Sequence, residues 1–341
     1  MTLQTSLKMT RRALAAAALT VLLPFGGSAY AQTTMKLASA TINDVQHEWQ
    51  KEFQKEVEAR VGDELKVEIY PASQLGAIPR MSEGVLLGTI EAFTTPTSFV
   101  TNVDPRFQAF DVPGLFKDAD EVDAVIHDKD FRDYMETLFL DKGIRIIGAI
   151  YNSPTQMLTR EPVTSIDGMK GLKIRTFASP LQMKPMEAVG VTPTPLALSE
   201  VIPQLQAGGI DGMLAGIPIL TAFKFYDTAK HVTNIDMNQI VSVTLVNEAW
   251  FQSQSDEVKT AIIEAGRAAE KTVFPWGVTN VEKAQQAWLD NGGEVHMLPE
   301  DQQTKLHEIF AKTADEVIAD QPDVIEVKDR IEAKLEEVRA K

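Results

Sequence analysis

The 341-residue chain carries 33 Lys and Arg against 48 Asp and Glu, a formal charge of −15, and no cysteine. A surface that acidic disfavours nucleic acid, whose phosphates demand basic patches, and anionic lipid headgroups likewise. Without thiols, disulfides, thiolate metal sites and cysteine nucleophiles are excluded, and the length suits two domains.

Residues 1–31 read as an export leader. Lys8, Arg11 and Arg12 precede an apolar run from Ala13 to Phe25, and Ala29-Tyr30-Ala31 has the A-x-A form of a cleavage site before Gln32. That run is too short and too proline-broken to span a bilayer. Thr10-Arg11-Arg12 leaves a twin-arginine route open beside the general one. No acid lies in this segment, so losing its three cations takes the charge from −15 to −18.

Met35 to Thr41 reads as a strand. Asn43 then caps a helix, with Gln46 in the capping-box position. Trp49, Phe53 and Val57 recur every fourth residue and give that helix a core stripe. Leu65, Val67 and Ile69 alternate into a strand that stops at Pro71. Ser73 to Gly76 is a loop, Pro79 to Leu87 a helix and Glu91 to Thr95 a strand. Asp118-Ala-Asp-Glu121 opens a helix toward Tyr134 and Leu138. Its carboxylates lack the glycine and full ligand set of a calcium loop, so they read as a capped, solvated start. Ile144 to Ile150 is a strand buried on both faces, leading into Tyr151-Asn152-Ser153-Pro154 as a hinge.

In Ser165-Ile-Asp-Gly-Met-Lys-Gly-Leu-Lys-Ile-Arg175 two glycines mark a corner, and Leu172 and Ile174 alternate with Lys173 and Arg175. Arg175 thus ends a strand, where open α/β sheets bind ligands, and its planar fork suits a carboxylate. From spacing alone, a surface arginine on an edge strand serves equally well. A helix from Pro180 to Val189, an extended Val191–Leu196, a helix from Ser199 to Ala207 and a short strand at Ile210–Leu214 follow, in the grammar of βαβ units. Beyond an irregular stretch holding Pro218, Phe223, Phe225 and Tyr226, Ile240 to Val246 is strand-like. A long helical pattern runs from Ser255 to Leu289, interrupted at Pro275-Trp276-Gly277. The tail from Pro299 is charged and helical.

The blocks SIDGMKGLKIR (165–175) and AVGVTPTPLALSEVIPQLQAGGIDG (188–212), with KVEIYPASQLG (66–76) and Phe110-Asp-Val-Pro-Gly-Leu-Phe116, resemble the DctP-type solute-binding proteins of TRAP transporters. The resemblance spans nearly all of the chain beyond the leader. It implies an α/β, two-domain periplasmic binding protein of the Venus-flytrap type, with an interdomain cleft and one long helix spanning both domains. The expected division is 32–152 with 241–276 as domain I and 153–240 with 277–341 as domain II.

The resemblance further implies ligand capture in the cleft, hinge closure, and delivery to integral-membrane permease subunits. Arg175 would clamp the ligand carboxylate. Asn152 lies at the hinge. Thr155 stands where sugar-acid members often carry a second arginine, Ala178 where a polar residue is frequent, and Leu198 just before the Ser-Glu pair. Met213, Leu214 and Ala215 replace a polar triplet, and Thr95, Pro96 and Phe99 face them from the N-terminal domain. One anionic anchor amid apolar replacements implies a monocarboxylate with an apolar body. Cofactor, metal, catalytic residue and nucleic-acid partner are not expected, and the chain is expected to be monomeric.

Motifs for chemistry are missing. His47, His127, His231, His296 and His307 form no HExxH and no pair at helical ligand spacing, so each reads as a surface or satisfied histidine. There is no G-x-S-x-G elbow, no dinucleotide fingerprint and no P-loop. Two alternatives stay open: the receptor of an ABC-type importer, and an exported hydrolase or lyase on the same scaffold. An enzyme would consume the ligand that a receptor returns unchanged.

Overall fold

The computed structural model describes residues 33–340, so the leader expected at 1–31 lies outside the described residues. In chain order the first segment gives β1 (Thr33–Ser39), α1 (Val45–Val61), β2 (Leu65–Tyr70), α2 (Ile78–Leu87), β3 (Ala92–Pro96), a 3-10 turn at Pro105–Asp111, α3 (Ala119–Ile126), α4 (Lys129–Thr137) and β4 (Ile144–Pro154). The second gives β5 (Gln156–Thr159), β6 (Lys173–Thr176), α5 (Pro180–Ala188), β7 (Thr192–Pro195), α6 (Leu198–Ala207), β8 (Gly212–Ala215), α7 (Ile217–Ala222) and β9 (His231–Asn234). Then come β10 (Gln239–Asn247), α8 (Glu248–Gln252), α9 (Asp256–Asp290), β11 (Glu294–Met297), α10 (Glu300–Ile318) and α11 (Pro322–Arg339).

These strands form two sheets. The first has the order β2-β1-β3-β10-β4, with β1 parallel to both neighbours and β10 antiparallel to both of its own. The second has the order β11-β9-β5-β8-β6-β7, parallel at β11/β9 and β8/β6/β7, with β5 antiparallel to β8 and β9. The chain crosses between lobes from β4 to β5 at Thr155, from β9 to β10, along α9, and back along α10. The amide of Thr155 donates to Asn238 O at 2.9 Å, tying the two strand crossings together.

The stripe read on α1 is core: Trp49, Phe53 and Val57 are fully buried, and Trp49 stacks on Phe53 at 4.9 Å between ring centres. The cap of α1 differs from expectation. Asp44, not Asn43, accepts from the His47 amide at 3.1 Å, while Asn43 sits at φ 58 and Gln46 turns to Thr41 and Asp44. The helix thus starts one residue later than expected, and the Asp44 carboxyl takes up the orphan His47 donor.

Helix α9 runs 35 residues without a break, capped by Ser255, which accepts from the Val258 amide at 3.1 Å. Pro275 lies inside it, so the interruption expected at 275–277 is corrected. A proline removes one backbone donor, but here the helix is clamped along its length. Val258, Ala265 and Val273 pack in the first lobe, Ala284 and Trp288 in the second. Buried Glu270 pins the first half, accepting from the Ala149 amide at 2.6 Å and Arg132 Nη2 at 2.8 Å, with His127 Nε2 at 3.3 Å. Partnered this fully, its carboxyl is held below its ordinary range although burial alone would raise it.

The C-terminal helices correct the expected division. Leu306 and Phe310 of α10 belong to the core of the second lobe. Ala314 and Ile318 join the first, as do Val324, Val327, Ile331 and Leu335 of α11, packed with Phe107, Phe110 and Val122. Arg339 clasps Glu121 through two nitrogens at 2.7 and 2.8 Å. Residues 277–341 therefore do not all join 153–240, because the apolar stripe of α11 is buried on α3 and the 105–111 turn.

Glycine sets how closely α9 lies on the first sheet. A Cβ on Gly266 would stand 2.0 Å from Ile147 O, inside any real contact. Gly266→Ala is expected to lower unfolding free energy by about 1–3 kcal/mol despite alanine's better helix propensity. The measurement is the urea midpoint; an unchanged midpoint would mean that the helix has room to stand off β4.

Candidate functional site

Arg175 is the cation around which the site is built. In β6 its neighbour Ile174 faces the second lobe's core and Lys173 faces water, while Arg175 itself is only 1% exposed. Its Nε donates to Leu196 O at 3.0 Å and its Nη1 to Leu214 O at 3.2 Å. The guanidinium lies 5.0 Å from the Phe177 ring centre and 5.6 Å from that of Phe99, and the two rings meet edge-on. Carbonyls and π faces attract a cation, yet carry no net charge to oppose it. Burial, with no acidic neighbour acting on it, lowers its pKa to about 10. The group therefore stays protonated at neutral pH.

This guanidinium forms part of the wall of a cavity between the lobes. The cavity is a narrow slot of about 40 Å³. From the first lobe come Ala40, Thr41, Gln46, Ile78, Thr94, Thr95, Pro96 and Phe99; Asn152 and Ile240 sit on the strands that cross. The second lobe gives Arg175, Phe177, Leu198, Met213, Ala215, Gly216 and Ile219. Among these residues there is one cation and no carboxylate, so the wall offers a metal ion no anionic ligand.

Of the residues expected at the site, Arg175, Asn152, Leu198, Met213, Ala215, Thr95 and Phe99 are brought together on this wall. Three are not. Ala178 is exposed, beyond the end of β6. Leu214 lies between Met213 and Ala215 on β8, so alternation turns its side chain into the second lobe's core; only its carbonyl serves, as an acceptor for Arg175. Thr155 is fully buried at the crossing and does not reach the cavity.

Sequence reasoning missed Gln46, Thr41, Phe177, Ile78, Ile219 and Ile240. Gln46 was visible as a polar residue in the first turn of a helix, but capping accounted for it. Polar atoms at the wall are partly spoken for. Asn152 donates to Ser242 Oγ at 3.1 Å and accepts from Ser153 Oγ at 3.2 Å, and Gln46 Nε2 holds Thr41 and Asp44 at 3.1 Å each. Thr95 Oγ1 has no hydrogen-bond partner among the described residues.

Beside the cavity the lobes meet through a buried polar contact. Ser98 Oγ donates to Asp111 Oδ1 at 2.5 Å, and Gln182 Nε2 of the second lobe reaches Ser98 Oγ at 3.5 Å. Asp111 lacks a cationic partner. Burial therefore raises its pKa to about 6, against the smaller opposing effect of the Ser98 hydrogen bond and of the nearby polar groups of Ser179 and Gln182.

Residues 38–321 match the profile of a family described as bacterial extracellular solute-binding protein, family 7, DctP. A solute-binding protein of Verminephrobacter eiseniae is 32% identical over 246 residues, which are 72% of this chain and 73% of the relative. The ectoine/5-hydroxyectoine-binding periplasmic protein UehA of Ruegeria pomeroyi is 25% identical over 302 residues, 87% of this chain and 88% of that one. The crystal structure of a TRAP periplasmic solute binding protein from Bordetella bronchispeptica, with density read as pantoate, gives a TM-score of 0.80 at 25% identity. It covers 88% of this chain and 99% of the other.

Asp111 makes stability depend on pH with a definite sign. Its folded pKa of about 6 exceeds the ordinary 3.8, so its contribution is whole below pH 3.8 and is lost as pH rises through 6. The expected loss is about 3 kcal/mol at most, from roughly two pKa units at 1.36 kcal/mol each. Urea unfolding of wild type and Asp111→Asn between pH 4 and pH 8 measures it. The variant's relative stability should climb with pH, and a flat difference would rule out this assignment.

Proposed function

Because the chain belongs to the bacterial extracellular solute-binding proteins of family 7, the DctP-type receptors of TRAP transporters, we propose that it captures a monocarboxylate with an apolar body in the cavity between its lobes. The observation that carries this reading is Arg175, a buried cation without an acidic partner on an otherwise uncharged and largely apolar wall.

Two hydrogen bonds from one guanidinium to a carboxylate are each worth roughly 1.5–3 kcal/mol. A second carboxylate would find no second cation on the wall. Ile78, Leu198, Met213, Ala215, Ile219 and Ile240 reward apolar area at about 25 cal/mol per Å², whereas each hydroxyl buried against them without a partner costs about 1–3 kcal/mol. Pantoate, the molecule read in the Bordetella protein, is a monocarboxylate with two hydroxyls, which supports a single anionic anchor and leaves the apolar body to rest on the wall residues.

A carboxylate bound to Arg175 from the second lobe, with its body against Phe99, Thr95 and Ile78 of the first, stabilises the closed arrangement over the open one. Only such differential contact makes a ligand close a hinge. The closed receptor then hands its ligand to the integral-membrane permease subunits of the transporter. It acts as a receptor and not as an enzyme, so it returns the ligand unchanged.

UehA and the Bordetella protein are periplasmic by name, and none of the described helices is long and apolar enough to cross a membrane. We place this protein in the same compartment, exported through its N-terminal 31 residues. Intact mass of the exported protein should then begin at Gln32; a retained leader would contradict this.

Calorimetry tests the site. Arg175→Ala is expected to weaken binding of the preferred acid at least a hundredfold, with circular dichroism confirming the fold. Arg175→Lys should also bind poorly, because a point charge does not reproduce the planar fork. In competition, branched or aromatic monocarboxylates should outcompete uronates and dicarboxylates of equal size. Near-native affinity of Arg175→Ala would remove Arg175 from the site, and preference for a uronate would overturn the apolar pocket while leaving the receptor standing.

A further inference from the structure

Two histidines far apart in the sequence meet at the outer edge of the second sheet. Strands β9 and β11 run parallel, with Glu294 beside His231 and His296 beside Thr233. The period of two puts Glu294 and His296 on one face of β11, next to His231 across the ladder. His231 Nδ1 lies 3.1 Å from His296 Nε2, and Glu294 Oε2 lies 3.6 Å from each of them. The arrangement could not be read from spacing, since His231 and His296 are 65 residues apart. Reading each histidine as a surface or satisfied residue gave no reason to look for this pair.

We propose that His231, Glu294 and His296 form a binding site for a zinc-class divalent transition-metal ion, separate from the interlobe cavity. Three atoms with sides of 3.1, 3.6 and 3.6 Å lie on a circle of about 2.0 Å radius. A point just off their plane is therefore about 2.0–2.1 Å from all three, the bond length of zinc to imidazole nitrogen and to carboxylate oxygen. The imidazole centres are 5.3 Å apart, close to the roughly 5.2 Å that a tetrahedral ion with such bonds imposes. Two imidazoles and one carboxylate suit zinc, cobalt and nickel and disfavour magnesium and calcium, which prefer oxygen. Both histidines are largely shielded, whereas Glu294 is 60% exposed, which leaves an outward position for water as fourth ligand. The ion would staple β11, a four-residue edge strand between α9 and α10, to β9.

The test is zinc titration of the purified full-length protein without a histidine tag, after chelator treatment. One equivalent should bind with a dissociation constant of micromolar or below and raise Tm, and cobalt should give the visible spectrum of a tetrahedral site. His231→Ala and His296→Ala should each weaken binding at least a hundredfold and Glu294→Gln about tenfold, while His307→Ala changes nothing. The affinity of Arg175→Ala for zinc should equal that of wild type, so failure of the organic-acid reading leaves this test intact. Absence of saturable uptake, with Tm unmoved, would mean that the two imidazoles simply share a proton, and would overturn the proposal. So would zinc binding that survives both histidine substitutions. If either variant fails to fold, the cobalt spectrum of the wild type decides alone.

Discussion

The antiparallel ladder between β4 and β10 is the constraint on which the remaining geometry rests. Its register runs from Ile144 opposite Asn247 to Pro154 opposite Gln239, with irregularities at Ile240/Val241 and Thr244/Leu245. Irregularities of this kind bend a strand and sharpen its twist. Both strands leave the first sheet at the same end, so the two narrow crossings stand side by side, joined by the Thr155–Asn238 hydrogen bond. Asn152 and Ile240 reach the cavity wall from these strands. The place where the lobes can flex and the place where they enclose a molecule are thus set by one pairing.

Across that hinge the electrostatics are deliberately incomplete. Arg175 has been removed from water, and its partners are two carbonyls and two aromatic rings. Neutral dipoles offset part of the desolvation cost of a cation but not all of it. Asp111, on the opposite lobe, faces the same problem with the opposite sign and meets it with neutral donors. The two are not paired with each other. Each group is thus left short of an opposite charge, Arg175 of an anion and Asp111 of a cation.

Much of this was legible in the sequence, and the failures have physical causes. Period-2 alternation after a glycine corner located Arg175, and the every-fourth-residue stripe located the core face of α1. Both signals are local, so local reasoning suffices. Naming Met213, Leu214 and Ala215 together overlooked the same alternation, which turns the middle residue to the other face. The stripe Val324, Val327, Ile331, Leu335 announces a buried helix face but not which lobe buries it; that address depends on partners some two hundred residues earlier. Pro275 signals a break only for a helix free to bend, whereas α9 is held by packing on both sides of it. Gln46 shows a different limit, since a residue with a good structural explanation attracts no functional one.

The path of α11 has a consequence for how the molecule comes into being. Its apolar face completes the core that the first part of the chain begins, and Arg339 reaches back across 218 residues to Glu121. A chain growing from its N-terminus therefore leaves the cluster around Phe107, Phe110 and Val122 incompletely covered until residues 322–339 have been added. The second lobe waits less long, since its core takes Trp288, Leu306 and Phe310 from later helices but nothing from the last one. Contacts so distant in sequence close slowly, because the loop entropy is lost before the contact repays it. The lobe that starts the chain is thus completed only by the chain's last helix.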